Sequence, residues 1–188
     1  MIKRILAFAA MGLLVGSIAA LAADAPKAPE APKNDYVGMS KCKMCHFKEA
    51  KAWAETKHAH ALEGLAKASP ERLKAMNDLL KTEVKDHPET NEACVGCHVT
   101  GYKQPGGYPA ADSVKTAALA FVGCEMCHGP GSLHLAVPMS DKEGRRKTMH
   151  IPTVENCQKC HTEAISPKFD FADRSKKVHP IAVAAPAK

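Results

Sequence analysis

Every cysteine of the 188-residue chain falls in one repeated pattern. It reads Cys42-Lys43-Met44-Cys45-His46, Cys94-Val95-Gly96-Cys97-His98, Cys124-Glu125-Met126-Cys127-His128 and Cys157-Gln158-Lys159-Cys160-His161. Cys-x-x-Cys-His is the attachment pattern of c-type haem: two thiols add to the vinyl groups as thioethers, and the adjacent imidazole reaches the iron. Zinc sites, redox dithiols and disulfides also use Cys-x-x-Cys, but they leave the invariable histidine unexplained. With histidine at 10 of 188 residues, four such coincidences would arise from composition about once in 10⁵. Four covalent haems are therefore expected, with His46, His98, His128 and His161 as proximal ligands.

Each iron also has a second axial position. Six histidines lie outside the patterns: His58, His60, His87, His134, His150 and His179. An isolated histidine is usually a solvated side chain, but four irons seeking a sixth ligand raise the expectation for each. Met76 could serve, although a methionine on an apolar helix face is ordinarily core.

The rest of the chain must position these groups. Met1 to Ala22 has a basic start at Lys3 and Arg4, an apolar stretch from Ile5 to Leu21 and a small-x-small end at Ala20-Leu21-Ala22. It reads as a secretory signal peptide over 1–22, short for a retained membrane anchor. Residues 23–38, rich in Ala, Pro and charge, are expected to be a disordered tether, and 181–188 a flexible tail. Between them, 39–180 should form one haem-binding domain, with fewer than about 40 residues per haem.

Aromatics are only 5% of the chain and Trp53 is the sole tryptophan, so the macrocycles themselves should be the main apolar mass. The formal charge of +6 loses Lys3 and Arg4 on cleavage and is offset by haem propionates, which argues against a nucleic-acid partner. A mainly α fold with little strand is expected. One long helix should run from Ser40 to about Lys67 and carry Trp53 and His58. On it, His58 would stand about 18 Å beyond His46, too far to share its iron. A second helix should start at Ser69-Pro70-Glu71 and run to Lys85, and a short one should lie within Phe169–His179. Thr116–Val122 reads as a strand or short helix. Residues 101–109 read as a turn-rich loop and Ser140–Lys147 as a polar loop, whose Arg145 and Arg146 could meet propionates.

The stretch Cys94–Val99, then Gly106-Gly107-Tyr108, then Val122-Gly123-Cys124-Glu125 through Gly131, together with the segment carrying Trp53 and His58, resembles the tetrahaem cytochrome c-554 family of ammonia-oxidising bacteria. The resemblance implies a compact, mainly helical wrapping around haems stacked in pairs, the first with the third and the second with the fourth. It implies His134 as distal ligand for the His46 haem, His58 for the His128 haem and His150 for the His161 haem. In that family the second haem, here on His98, keeps an open distal side. This chain offers His179, His60 or His87 to close it, and His179 is the first choice.

The expected function is electron transfer in the periplasm or at the cell surface, not enzymatic catalysis. The expected partners are redox proteins: a multihaem oxidoreductase on one side, a quinone-linked or terminal cytochrome on the other, with no stable membrane insertion. The rivals are reduction of nitric oxide or a related nitrogen oxide at an open His98 haem, and a role as protomer of an extracellular haem filament.

Overall fold

The computed structural model describes residues 32–179, so the signal peptide expected over 1–22, most of the tether expected over 23–38 and the tail expected over 181–188 lie outside the described residues. The described chain is helical and contains no strand. Its helices are α1 (Met39–Cys42), α2 (Phe47–Ala54), α3 (Ala61–Ala66), α4 (Pro70–Leu80), α5 (Glu92–Val95), α6 (Ser113–Ala117), α7 (Cys124–His128), α8 (Ser132–Ala136), α9 (Lys142–Lys147), α10 (Val154–Gln158) and α11 (Phe171–Val178). A 3₁₀ turn spans Pro88–Thr90.

The long helix expected from Ser40 to Lys67 is three short ones. Its backbone carbonyls are taken by partners elsewhere in the chain. The Thr56 hydroxyl donates back to Trp53 O at 2.7 Å, Val122 N donates to His58 O at 3.1 Å, and the His98 ring donates from Nδ1 to Ala61 O at 2.7 Å. Competition of this kind ends a helix where propensity alone would continue it. The 18 Å of continuous rise between His46 and His58 therefore does not exist.

Helix α4 starts where expected. The Ser69 hydroxyl accepts from Arg72 N at 3.3 Å, and Pro70 stands at the first position. It stops at Lys81, whose φ of 57° is left-handed, short of Lys85. Asn77 makes the stop: Nδ2 donates to Val84 O at 2.6 Å, while Oδ1 accepts from Val84 N at 3.1 Å and the Thr82 hydroxyl at 2.8 Å. The Ser140–Lys147 loop is instead capped into α9, with Asp141 Oδ1 accepting from Gly144 N at 2.8 Å. Of the Thr116–Val122 run only Thr116 and Ala117 are helical, as the end of α6, which starts at Ser113; the rest is turn and irregular chain.

The side-chain core is small. The buried hydrophobic residues are Val84, Val95, Val99, Leu119 and Val122. Thr100, 1% exposed, knits them: its hydroxyl donates to Phe121 O at 2.6 Å and accepts from Gly123 N at 2.9 Å, and its backbone bonds Leu119 and Tyr108. The loop after it needs glycine. At Gly101 φ is +67°, and a Cβ there would stand 2.5 Å from the Tyr36 ring.

Residues Asp35 to Gly38, placed in the tether by composition, are fastened down. The 3%-exposed Glu125 carboxylate accepts from Val37 N at 2.8 Å, Gly38 N at 2.7 Å and Gly131 N at 2.8 Å. Asp35 N donates to the Ser132 hydroxyl at 2.6 Å. Ala/Pro-rich composition lacks the apolar area to fold, but here three backbone amides find one buried carboxylate.

Candidate haem-binding site

Each Cys-x-x-Cys-His pattern sits on one helical turn. His46 N bonds Cys42 O at 3.0 Å, His98 N bonds Val95 O at 2.8 Å and His161 N bonds Cys157 O at 2.9 Å, while Cys124 to His128 is helix α7 throughout. Residues three and four apart share one helix face, so the turn aims two thiols and one imidazole the same way. Local caps set the turns: Asn91 Oδ1 accepts from Ala93 N before α5, and Thr153 with Asn156 forms a capping box before α10.

The thiols come together across the patterns, and none forms a disulfide. Cys42 shares a hydrogen bond with Cys124, and Cys97 with Cys160. Cys97, accepting from Cys160, is lowered to about 7. Burial, with the Cys157 thiol nearby, lifts Cys127 to about 11. The first pattern thus meets the third, the second meets the fourth, and the third and fourth meet at Cys127 and Cys157.

Six imidazoles stand opposite one another in three tilted pairs. His46 and His134 have ring centroids 6.3 Å apart, His58 and His161 6.0 Å, and His128 and His179 6.4 Å. An imidazole nitrogen binds a first-row metal at about 2 Å, and the ring centre lies about 1.1 Å behind it. Two imidazoles on opposite sides of one iron therefore have centroids about 6 Å apart, which the three pairs match. His134 faces His46, as the resemblance implies. His58 faces His161 and not His128, because the chain breaks between α2 and α3 and turns it aside. His179 faces His128 and not His98.

Second partners orient the rings. His98 Nδ1 donates to Ala61 O at 2.7 Å, His128 Nδ1 to His150 O at 2.9 Å and His134 Nδ1 to Arg145 O at 2.9 Å. His161 Nδ1 and the Ser166 hydroxyl are 3.1 Å apart, and Phe169 stacks on the same ring at 4.9 Å and 14°. An Nδ1–H so engaged leaves Nε2 as the free lone pair. Burial pushes the His58, His128 and His161 imidazoles below the usual histidine range, which favours the neutral form that ligates metal.

The remaining histidines are turned away. His150 is exposed and its Nε2 meets Asn156 Oδ1 at 2.8 Å, and no ring contact among the described residues joins it to His161. His60 and His87 are exposed beside Glu63 and Glu89. Among the described residues, no ring-to-ring contact joins His98 to a second histidine.

A cavity of about 1100 Å³ lies among Cys97, Cys127, Cys157, Cys160, His58, His128, His161 and His179. It exceeds the roughly 300–1,000 Å³ of an ordinary small-molecule site. Thiols from three patterns and two imidazole pairs on its wall, His58 with His161 and His128 with His179, suit a large, flat, iron-bearing ring. A narrower cleft lies beside Cys42, Cys45, His46 and His134 and includes Arg145. Arg145 spends one N–H on Val137 O at 2.7 Å and keeps donors for an anionic group.

Two residues escaped sequence reasoning. Glu125 occupies a variable position of the third pattern, and only its burial reveals the clamp. Phe169 gave no signal beyond an aromatic near a proline.

The family model described as cytochrome c554 and c-prime matches residues 41–129. Cytochrome c-554 of Nitrosomonas europaea is 42% identical over 97 residues, which is 51% of this chain and 39% of that protein. The aligned stretch thus spans about two fifths of the relative's length. The reduced-state structure of cytochrome c554 from Nitrosomonas europaea superposes with a TM-score of 0.59 at 26% identity, covering 79% of this chain and 85% of that one. In its helical fold and over residues 41–129 the chain is similar to cytochrome c554, and its four thiol-bearing turns suit covalently attached haem c.

Proposed function

We propose that the protein is an exported electron carrier with four haems, one on each Cys-x-x-Cys-His turn. The reading rests on the three histidine pairs at 6.0–6.4 Å. In it His46 works with His134, His161 with His58 and His128 with His179. When bound, haem supplies a reversible one-electron couple. The chain's part is to hold two neutral imidazoles on opposite sides, steady their rings through Nδ1 and keep water out with an apolar wall. Two fixed nitrogen ligands leave no coordination site for substrate and little to reorganise. The thiol contacts between patterns support haem edges close enough for electrons to pass among them.

Residues 1–22 and the chemistry of thioether attachment support a periplasmic location. Redox proteins on either side, a multihaem oxidoreductase and a quinone-linked or terminal cytochrome, are the partners this reading requires. Purified holoprotein should begin at Ala23 and weigh the polypeptide plus four haems. Three haems or fewer by mass would overturn the count.

A second reading is favoured by His98 alone. Its ring is anchored on Ala61 O, and His179 is engaged at His128. An iron there would keep an open face for a small ligand such as nitric oxide. Electron paramagnetic resonance of the oxidised protein separates the two. A high-spin signal from one haem in four, altered by nitric oxide, supports the open site. Four unaltered low-spin haems support a carrier only.

A further inference from the structure

Among the exposed large hydrophobics, Met44 at 71% and Phe47 at 63% stand beside one haem-attachment turn, three residues apart. Neither lines the cleft next to His46 or the large cavity, so a haem in either leaves both uncovered. Other exposed apolar residues near the site, Leu135 and Ile151, do line those spaces.

Helix α2 shows how Phe47 came to be outside. Trp53 faces inward, with its Nε1–H donating to Val122 O at 2.9 Å and its ring edge-on to Phe121 at 5.1 Å. At 100° per residue, Glu49 and Ala50 share that inner face, and both are half-buried. Phe47, Lys48 and Lys51 fall on the opposite face, and all are exposed. Lys43 stands beside Met44 in the attachment turn and is exposed too. None of these three lysines makes an ion pair among the described residues, whereas Lys67, Lys74, Lys147 and Lys177 each pair with an acid four residues away. The only acid from 41 to 51, Glu49, is on the inner face.

We propose that Met44 and Phe47, ringed by Lys43, Lys48 and Lys51, are the docking surface for a soluble acidic redox protein at the first haem. The inference rests on the electron-carrier reading above and names the partner's chemistry: carboxylates around a small apolar centre. A compact apolar contact inside a charged rim is what short-lived electron-transfer encounters use, since long-range attraction speeds arrival while a small area permits departure. Contact at Met44 and Phe47 sets the partner against the first attachment turn, and the lysines orient it so that one electron passes from its reduced centre to the ferric haem.

The test is reduction of the full holoprotein by reduced plant-type ferredoxin, an acidic one-electron donor, followed by stopped flow as ionic strength is varied. Photoreduced lumiflavin, small and neutral, is the control donor. The wild-type rate with ferredoxin should fall by about tenfold or more as salt is raised. Lys43→Glu, Lys48→Glu and Lys51→Glu together should slow it about tenfold at low salt and flatten the salt dependence. Phe47→Ser should slow it severalfold and leave the salt dependence intact. Lumiflavin rates should stay within about twofold throughout, which also reports that the variants carry their haems. Equal slowing by Lys85→Glu, Lys142→Glu and Lys176→Glu would mean net charge acts, not this patch, and would overturn the proposal. So would an unchanged ferredoxin rate in the first triple variant, with the carrier reading left standing. Failure of both donors to reduce wild-type haem would overturn the carrier reading and the surface together.

Discussion

His58 and His150 are both expected as second axial ligands, yet only His58 stands opposite another imidazole, that of His161. His58 is drawn into the fold because Val122 takes its carbonyl and the chain bends there. His150 lends its carbonyl to His128 and its own Nε2 to Asn156. His58→Ala should therefore leave one iron without its second imidazole, namely that of the His161 haem, and add one high-spin signal. His150→Ala should leave every low-spin signal in place. Electron paramagnetic resonance of both variants checks the pair, and the reverse result would restore His150 as a ligand. Glu125 makes a different demand. Its carboxylate is the acceptor for three amides, two of them from the segment before α1. Each buried amide left without a partner costs about 1–3 kcal/mol, so Glu125→Ala should destabilise by at least about 3 kcal/mol and expose residues 32–38 to protease. Thermal unfolding and limited proteolysis of the holoprotein read both effects. At this scale the eight thiols and four proximal histidines were legible because attachment chemistry dictates their spacing. Which further histidine stands opposite which was legible only for His134 with His46, because for His58 and His179 it depends on bends set by distant backbone contacts.

Elements tell the same story through hydrogen bonds. Start signals were readable: Ser69-Pro70 opens α4, and the short helix near the C-terminal end forms as α11 inside the expected range. Stops and breaks were not. Asn77 lies in the middle of a helical pattern and gives no hint that its side chain will fold residues 82–84 back on α4. Its amide makes three bonds to Thr82 and Val84, and Val84 is 6% exposed. Asn77→Ala should cost about 2–3 kcal/mol through the buried Val84 groups it orphans. Asn77→Asp, which retains the acceptor but loses the donor to Val84 O, should recover part of that. Denaturant titration of the two variants orders them; equal midpoints with wild type would mean the turn is held by Val84 packing instead. The long helix read over Ser40–Lys67 failed for a related reason. Propensity describes a backbone whose carbonyls are its own, and here Trp53, His58 and Ala61 lend theirs to Thr56, Val122 and His98.

At the scale of the molecule, the five buried aliphatic side chains among the described residues are far too few to offset the entropy of ordering that chain. The scarcity of aromatics already implied that the apolar mass had to come from elsewhere, and the exposed Ile151 on the wall of a cavity of about 1100 Å³ is surface that only a bound ring would cover. Stability should then depend on where each haem sits. The second attachment turn is built into the buried cluster, with Val95 at 2% and Val99 at 0% exposed and Thr100 bridging to the third. The first lies at the edge, with Met44 and Phe47 in solvent. Cys94→Ser with Cys97→Ser should therefore abolish cooperative unfolding, whereas Cys42→Ser with Cys45→Ser should lower the midpoint and leave a single transition. Polypeptide made without any haem attachment should show no cooperative transition in calorimetry and little fixed helix by circular dichroism. A sharp apo transition would mean that the protein core, and not its haems, carries the fold.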